Sequence, residues 1–194
     1  MKHRSILVVV LMVLCGVLLV QSQRDNHSRQ YRAMEENLAY LKQNGARAHP
    51  DPRPTELTEA DANAYFNEGG VKMPKGVSHL RLAAQPGVID GHAQVDFAEI
   101  MQGRGSNNPL YGMFSGSHDV HVVAQAFGEH GVGTIRAKSV DFDGVQIPQF
   151  ALEWFAQHYL TPKYRNVGIT STFKLPQRIE SAVVEAGKVK LIQR

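Results

Sequence analysis

From Val77 onward, apolar and polar side chains alternate along the chain with the two-residue period of half-buried strands. Val77–Ala84 sets Leu80, Leu82 and Ala84 against His79 and Arg81. After Gln85-Pro86-Gly87, Val88–Phe97 sets Ile89, Gly91, Ala93, Val95 and Phe97 against Asp90, His92, Gln94 and Asp96. Two such runs joined by a Pro-Gly turn predict an antiparallel hairpin. A second hairpin is predicted from the strand near 117–128, with Val120, Val122, Ala124 and Ala126 on one face. It turns at Glu129-His130-Gly131 and returns over about Val132–Phe142 with Gly133, Ile135 and Ala137 on one face. Between the hairpins, a brief helix over Ala98–Gln102 and a long loop over Gly103–Gly116 are expected. Three further strands are expected near 167–174, 178–186 and 188–193.

Helical patterns interrupt this alternation. Thr58 is a good N-cap for a helix to about Asn67, with Leu57, Ala60, Ala64 and Tyr65 on its buried side. Pro148 opens a helix to about Leu160 that carries Phe150, Leu152, Trp154, Phe155 and Tyr159, the most aromatic stretch of the chain. The fold class is therefore α+β: a twisted antiparallel sheet of long hairpins with one apolar face, covered by a helix, for which 149–160 is the natural choice. Upstream, Ser28 can cap a helix to about Lys42, stopped by Asn44-Gly45. Its apolar stripe is Tyr31, Met34, Leu38 and Leu41. This stripe is read either as packing on the domain or as a self-association seam. His49-Pro-Asp-Pro-Arg-Pro54 cannot continue a helix and marks an extended connector.

The first residues set the location. Lys2 and Arg4 precede an uncharged apolar run, Ile6–Val20, shorter than the roughly 20 residues that span a bilayer comfortably. Val20-Gln21-Ser22 offers a mediocre cleavage site, so retained anchor and cleaved signal both stay open. Either way an apolar N-terminal helix precedes an extracytoplasmic chain. The domains are then 1–22, signal peptide or membrane anchor; 23–54, helical spacer and Pro-rich linker; and 55–194, the extracytoplasmic domain. The one cysteine, Cys15, lies in the apolar run behind Leu14, so neither a disulfide nor a lipoprotein signal is expected. The net charge of +3 looks basic, but residues 55–194 carry 13 Lys/Arg against 14 Asp/Glu. No basic face and no nucleic-acid partner are expected.

Chemistry is sparse. In Ser117-His118-Asp119-Val120-His121 the two histidines sit an odd number of residues apart, so on a strand they point to opposite faces and cannot share a metal. Asp119 and His121 share a face, but two ligands do not make a zinc site. His79, His92, His130 and His158 lack ligand spacing. The carboxylate pairs Asp90/Asp96 and Asp141/Asp143 fit solvated faces and turns. No catalytic residue, metal or cofactor is expected, and the chain is read as a non-enzyme. The inward faces are rich in small residues opposite a helix rich in large ones. That pairing gives either a packed core or a groove for an apolar ligand. The groove reading assigns binding to Ala93, Ala124, Ala126, Ala137, Trp154, Phe155 and Tyr159.

A resemblance bears on this choice. Leu57-Thr-Glu-Ala-Asp-Ala-Asn-Ala-Tyr65, Met73-Pro-Lys-Gly-Val77, the hairpin ending Val95-Asp-Phe97, Leu175-Pro-Gln-Arg-Ile-Glu-Ser-Ala-Val183 and Glu185-Ala-Gly187 together resemble bacterial exported or membrane-anchored domains. Those domains are similar to tubular lipid-binding (TULIP-like) proteins. The resemblance covers roughly 55–193 and implies a sheet wrapped around a helix with acyl chains held between them. Two functions follow as expectations: an envelope module that binds lipid or another apolar ligand, or an envelope assembly module that binds a protein partner through a sheet edge or the spacer helix.

Overall fold

The computed structural model describes residues 27–96, 98–99, 116–155, 157 and 168–194. The apolar leader, Tyr159, and nearly all of the helix and loop expected over 98–116 lie outside them. The first element is α1 (Arg29–Gly45), capped as expected by Ser28, whose Oγ accepts the Tyr31 N–H at 3.1 Å. A short strand, β1 (Thr55–Thr58), and α2 (Glu59–Asn67) follow. Thr58 caps α2, but Leu57 belongs to β1, and Ala60 is exposed while Phe66 is buried. The strand had no signature of its own: four residues between a proline and a helix cap show no alternation to read.

The two predicted hairpins are present. β2 (Val77–Gln85) and β3 (Val88–Asp96) turn at Pro86-Gly87, where Gly87 adopts the positive φ of 72° that a type II turn requires. β4 (Ser117–Glu129) and β5 (Val132–Phe142) turn at His130-Gly131, both at positive φ, as a type I′ turn demands. β6 (Val145–Gln146), α3 (Gln149–Phe155), β7 (Thr170–Lys174), β8 (Ile179–Glu185) and β9 (Lys188–Gln193) complete the described chain. All nine strands join one antiparallel sheet in the order β1-β9-β8-β4-β3-β2, with β5 on the other side of β4 and β6 and β7 along β5. β4 is the hinge of this arrangement. It pairs with β3 from Ser117 to Gln125 and with β8 at Phe127 and Gly128. The tips of the β2–β3 and β8–β9 hairpins therefore abut, through Gly87 N–H to Val184 O (2.9 Å) and Gly187 N–H to Ala84 O (2.8 Å).

The cover of the apolar face differs from expectation. It is built by α1 and α2, not by the aromatic helix. Leu41 of α1 packs on Leu175, Ile179, Ala182 and Leu191. Tyr31 and Met34 pack on Tyr65 of α2, and Phe66 packs on Leu80 and Leu82. The stripe read upstream thus packs on the domain. Burial of each such side chain stabilises the fold by about 1.5–3 kcal/mol, so the segment expected as a spacer is part of the core. By contrast, among the described residues of α3, Leu152 packs near Val95, Val120 and Val140 at one end of the sheet. Phe150 is 74% exposed and Trp154 48% exposed. The physical reason is amphipathicity: α1 carries one apolar stripe on a polar helix, while Leu152 lies on nearly the opposite side of α3 from Phe150, so the two cannot face one sheet together.

Two polar arrangements lock this cover. Asn44, buried at the end of α1, donates to Gln193 Oε1 (2.8 Å) and to Asp51 O (2.9 Å). Gln193 Nε2 donates to Leu41 O (2.7 Å) and Gln177 O (2.6 Å). On α2, Glu59, Asn63 and Asn67 recur every four residues and face the outer edge of β2. Asn63 exchanges two hydrogen bonds with Leu82, Asn67 donates to Leu80 O, and Glu59 accepts from Ala84 N. An edge strand that would otherwise present unpaired groups is closed by a helix.

Candidate functional site

The small residues on the inner face meet large ones from other strands. Ala124 and Ala126 are buried with Ile135 and Val184, with Phe173 and Val189 packed against them. Ala137 lies opposite Ala124 across the β4–β5 ladder and is half-buried. Ala93 is half-buried between the Leu80/Leu82 cluster and the Val95 cluster. A methyl group added at Gly133 would sit 2.6 Å from the Phe173 ring, and one at Gly128 would sit 2.8 Å from Leu175. Strands β7 and β8 thus supply the large partners that α3 was expected to supply. A cavity of about 10 Å³ remains here, lined by Ala126, Ile135, Phe173, Leu175 and Val184 among others. That is about the volume of one water-sized sphere, whereas small-molecule sites run to roughly 300–1,000 Å³. Trp154 stands apart on α3, where its half-exposed side chain does not line this cavity. Of the described residues of the expected groove, Ala126 lines this cavity and Ala93, Ala124, Ala137 and Trp154 do not; Tyr159 and the Phe155 side chain lie outside the described residues.

The polar face holds the densest chemistry. In register across the sheet stand Arg81 of β2, His92 of β3, His121 of β4 and Asp141 of β5. The His92 and His121 rings stack, with centroids 4.0 Å apart and planes 7° from parallel. Asp90 reaches both rings: its oxygens lie 3.0 Å from His121 Nε2 and 3.2 Å from His92 Nε2. The other nitrogen of His121, Nδ1, lies 3.3 Å from Asp141 Oδ2. These side chains are about a quarter to a half exposed, so water reaches them.

A β-bulge makes this cluster possible. Counted from the His130-Gly131 turn, an unbroken ladder would place Val140 opposite His121. The register shifts between Val123 and Ala124, and Asp141 takes that place instead. The bulge turns Val140 and Phe142 into the core and Asp141 outward. His118 and His121 have different partners, as their odd spacing implied. His118 Nδ1 lies 2.6 Å from Asp143 Oδ2 and its ring packs on Phe142. The His118 ring and the Asp119 N–H hold the Asp143 carboxyl below the usual carboxylate range. His121 is held by Asp90 and Asp141 rather than by Asp119.

The polar phase of Asp90, His92 and His121 was legible in the sequence, whereas Asp141 falls in phase with Gly133, Ile135 and Ala137 along its strand. Their convergence depends on the register between β3 and β4, which no short turn sets, and on the bulge in β5. Elsewhere on the outer face, Phe127 (50% exposed) and Val183 (48%) are cross-strand neighbours, with Val132 (45%) diagonal to Phe127. No protein-family model, curated protein or solved structure matches this chain. No helix among the described residues is long and apolar enough to cross a membrane.

Proposed function

We propose that this chain is a non-enzymatic extracytoplasmic module of the bacterial cell envelope that acts by contact with another envelope protein, held at the membrane or released from it by its N-terminal segment. The observation that carries this reading is the close packing of Ala124, Ala126 and Gly133 against Ile135, Phe173 and Val184, where the cavity among the described residues is about 10 Å³. Two of the surfaces on which the sequence suggested a partner could dock are engaged within the chain. The β2 edge is occupied by α2, and the apolar stripe of α1 is buried. Among the described residues, the Phe127/Val183 pair is an exposed apolar cross-strand pair on the sheet's outer face, a surface suited to contact. The TULIP-like resemblance points instead to a held lipid, and the experiment separates the two.

Ala126→Leu adds bulk to a filled site and is expected to cost about 1–3 kcal/mol in urea unfolding. Native mass spectrometry of the full chain is expected to show no bound lipid. A lipid adduct that Ala126→Leu expels, with little loss of stability, would refute the packed-core reading and restore the groove. A photo-crosslinking residue placed at Phe127 or Val183 in cells is expected to give a discrete adduct, and one at Lys75 none. Equal labelling from all three positions, or none from any, refutes the contact surface.

A further inference from the structure

We propose that Asp90, His92 and His121 bind a first-row transition-metal ion, with Zn2+ as the ion to test, and that Asp141 is the residue that positions His121. The donor atoms of the three residues lie within 4.8 Å of one another. Zinc bonds to imidazole nitrogen and carboxylate oxygen are roughly 2.0–2.2 Å. Two ligands on one ion are therefore roughly 3.0 Å apart at a right angle and roughly 3.4 Å apart at the tetrahedral angle. The Asp90–His121 and Asp90–His92 separations, 3.0 and 3.2 Å, already match such polyhedron edges. The two ring planes are 7° from parallel, so binding tilts the rings toward each other for their lone pairs to converge.

Three further features favour an ion over a surface ion pair. First, the ligands stand on adjacent strands, β3 and β4, each flanked by further strands, β2 and β5. The backbone positions are fixed before binding. Second, Asp141 lies on the His121 nitrogen that faces away from Asp90. A carboxylate on the far nitrogen fixes the tautomer and orientation of a metal-bound histidine. Third, two imidazole nitrogens and one carboxylate from two adjacent strands converge on one patch of the polar face, a mixed donor set rather than a lone ion pair. Two imidazoles with one carboxylate suit Zn2+, Cu2+, Ni2+ or Fe2+ better than Ca2+ or Mg2+. Three protein ligands leave a position for water, consistent with the exposure of His92.

The test is titration of the full chain with Zn2+ by calorimetry, together with Co2+ absorption spectra and histidine-ring NMR. One equivalent is expected to bind, release protons, raise the thermal midpoint and perturb the His92 and His121 ring signals, leaving His79 and His130 unmoved. His92→Ala/His121→Ala should abolish the site, while His130→Ala should leave it intact. Asp141→Asn should weaken binding about 10–100-fold with the stoichiometry kept. All these substitutions are on the solvent-facing side, and circular dichroism of the metal-free variants checks their folding. Zn2+ binding by folded wild type no tighter than by the folded double-histidine variant overturns the proposal. Full affinity in Asp141→Asn overturns the positioning role.

Discussion

Replacing Gln193 by Ala tests whether α1 is truly part of the domain. The Gln193 side chain is 2% exposed and makes three hydrogen bonds, to Leu41 O, Gln177 O and Asn44 Nδ2. It joins the last strand to the end of α1 and to the turn before β8. Truncation removes these bonds and leaves their partners buried. Each bond lost from such a site costs about 1 kcal/mol, and more where the orphaned group stays dry, so the total should reach about 3–5 kcal/mol. This is a large part of the roughly 5–15 kcal/mol that holds an ordinary domain together. With a urea slope of about 1–3 kcal/mol/M, the midpoint should fall by roughly 2 M. Asn44→Ala should weaken the fold through the same network, and the double variant should fall short of additivity by about 1 kcal/mol or more, because the two side chains share a bond. Hydrogen exchange should show α1 amides losing protection together with those of β9. A loss under about 1 kcal/mol, or α1 exchanging freely while the sheet stays protected in wild type, would refute the reading and return the helix to the role of a spacer.

Other outcomes are expected. Asn63→Ala/Asn67→Ala removes three side-chain bonds to the β2 edge, lowers stability by about 1–3 kcal/mol and exposes a strand edge. Light scattering should then show association that the wild type lacks, and a variant as monodisperse as wild type would argue against edge protection. The Asp143 carboxyl has its folded-state pKa lowered by His118, so its contribution is present in full above the unfolded value and is lost as pH falls through the folded one. Asp143→Asn, which tolerates the positive φ of 50° at this position, should flatten the acid limb of the stability–pH curve and leave the neutral-to-basic limb little changed. An unchanged acid limb would contradict this assignment.

The chain by itself determined the pieces. Alternation is a property of consecutive residues, so it placed the two long hairpins and their inner faces, including Ala124, Ala126 and Gly133. Ser28 and Thr58 marked helix starts because a cap needs only its own side chain and the N–H groups just after it. The small residues on those faces were legible too, but not what fills the space above them. That partner proved to be Phe173 of β7 and Leu175 just after it, far along the chain, with α1 and α2 as the cover among the described residues. Strand β1 is held by pairing with β9, far along the sequence, and carried no local mark. The geometry of the polar cluster was illegible for the same reason. Asp90, His92, His121 and Asp141 meet only through a register between strands that no short turn connects, and through a bulge that turns Asp141 outward. Local periodicity fixes what each segment becomes and which face is apolar. Register, bulges and the choice of cover are settled by packing between segments far apart in sequence, and only the folded tertiary structure holds that information.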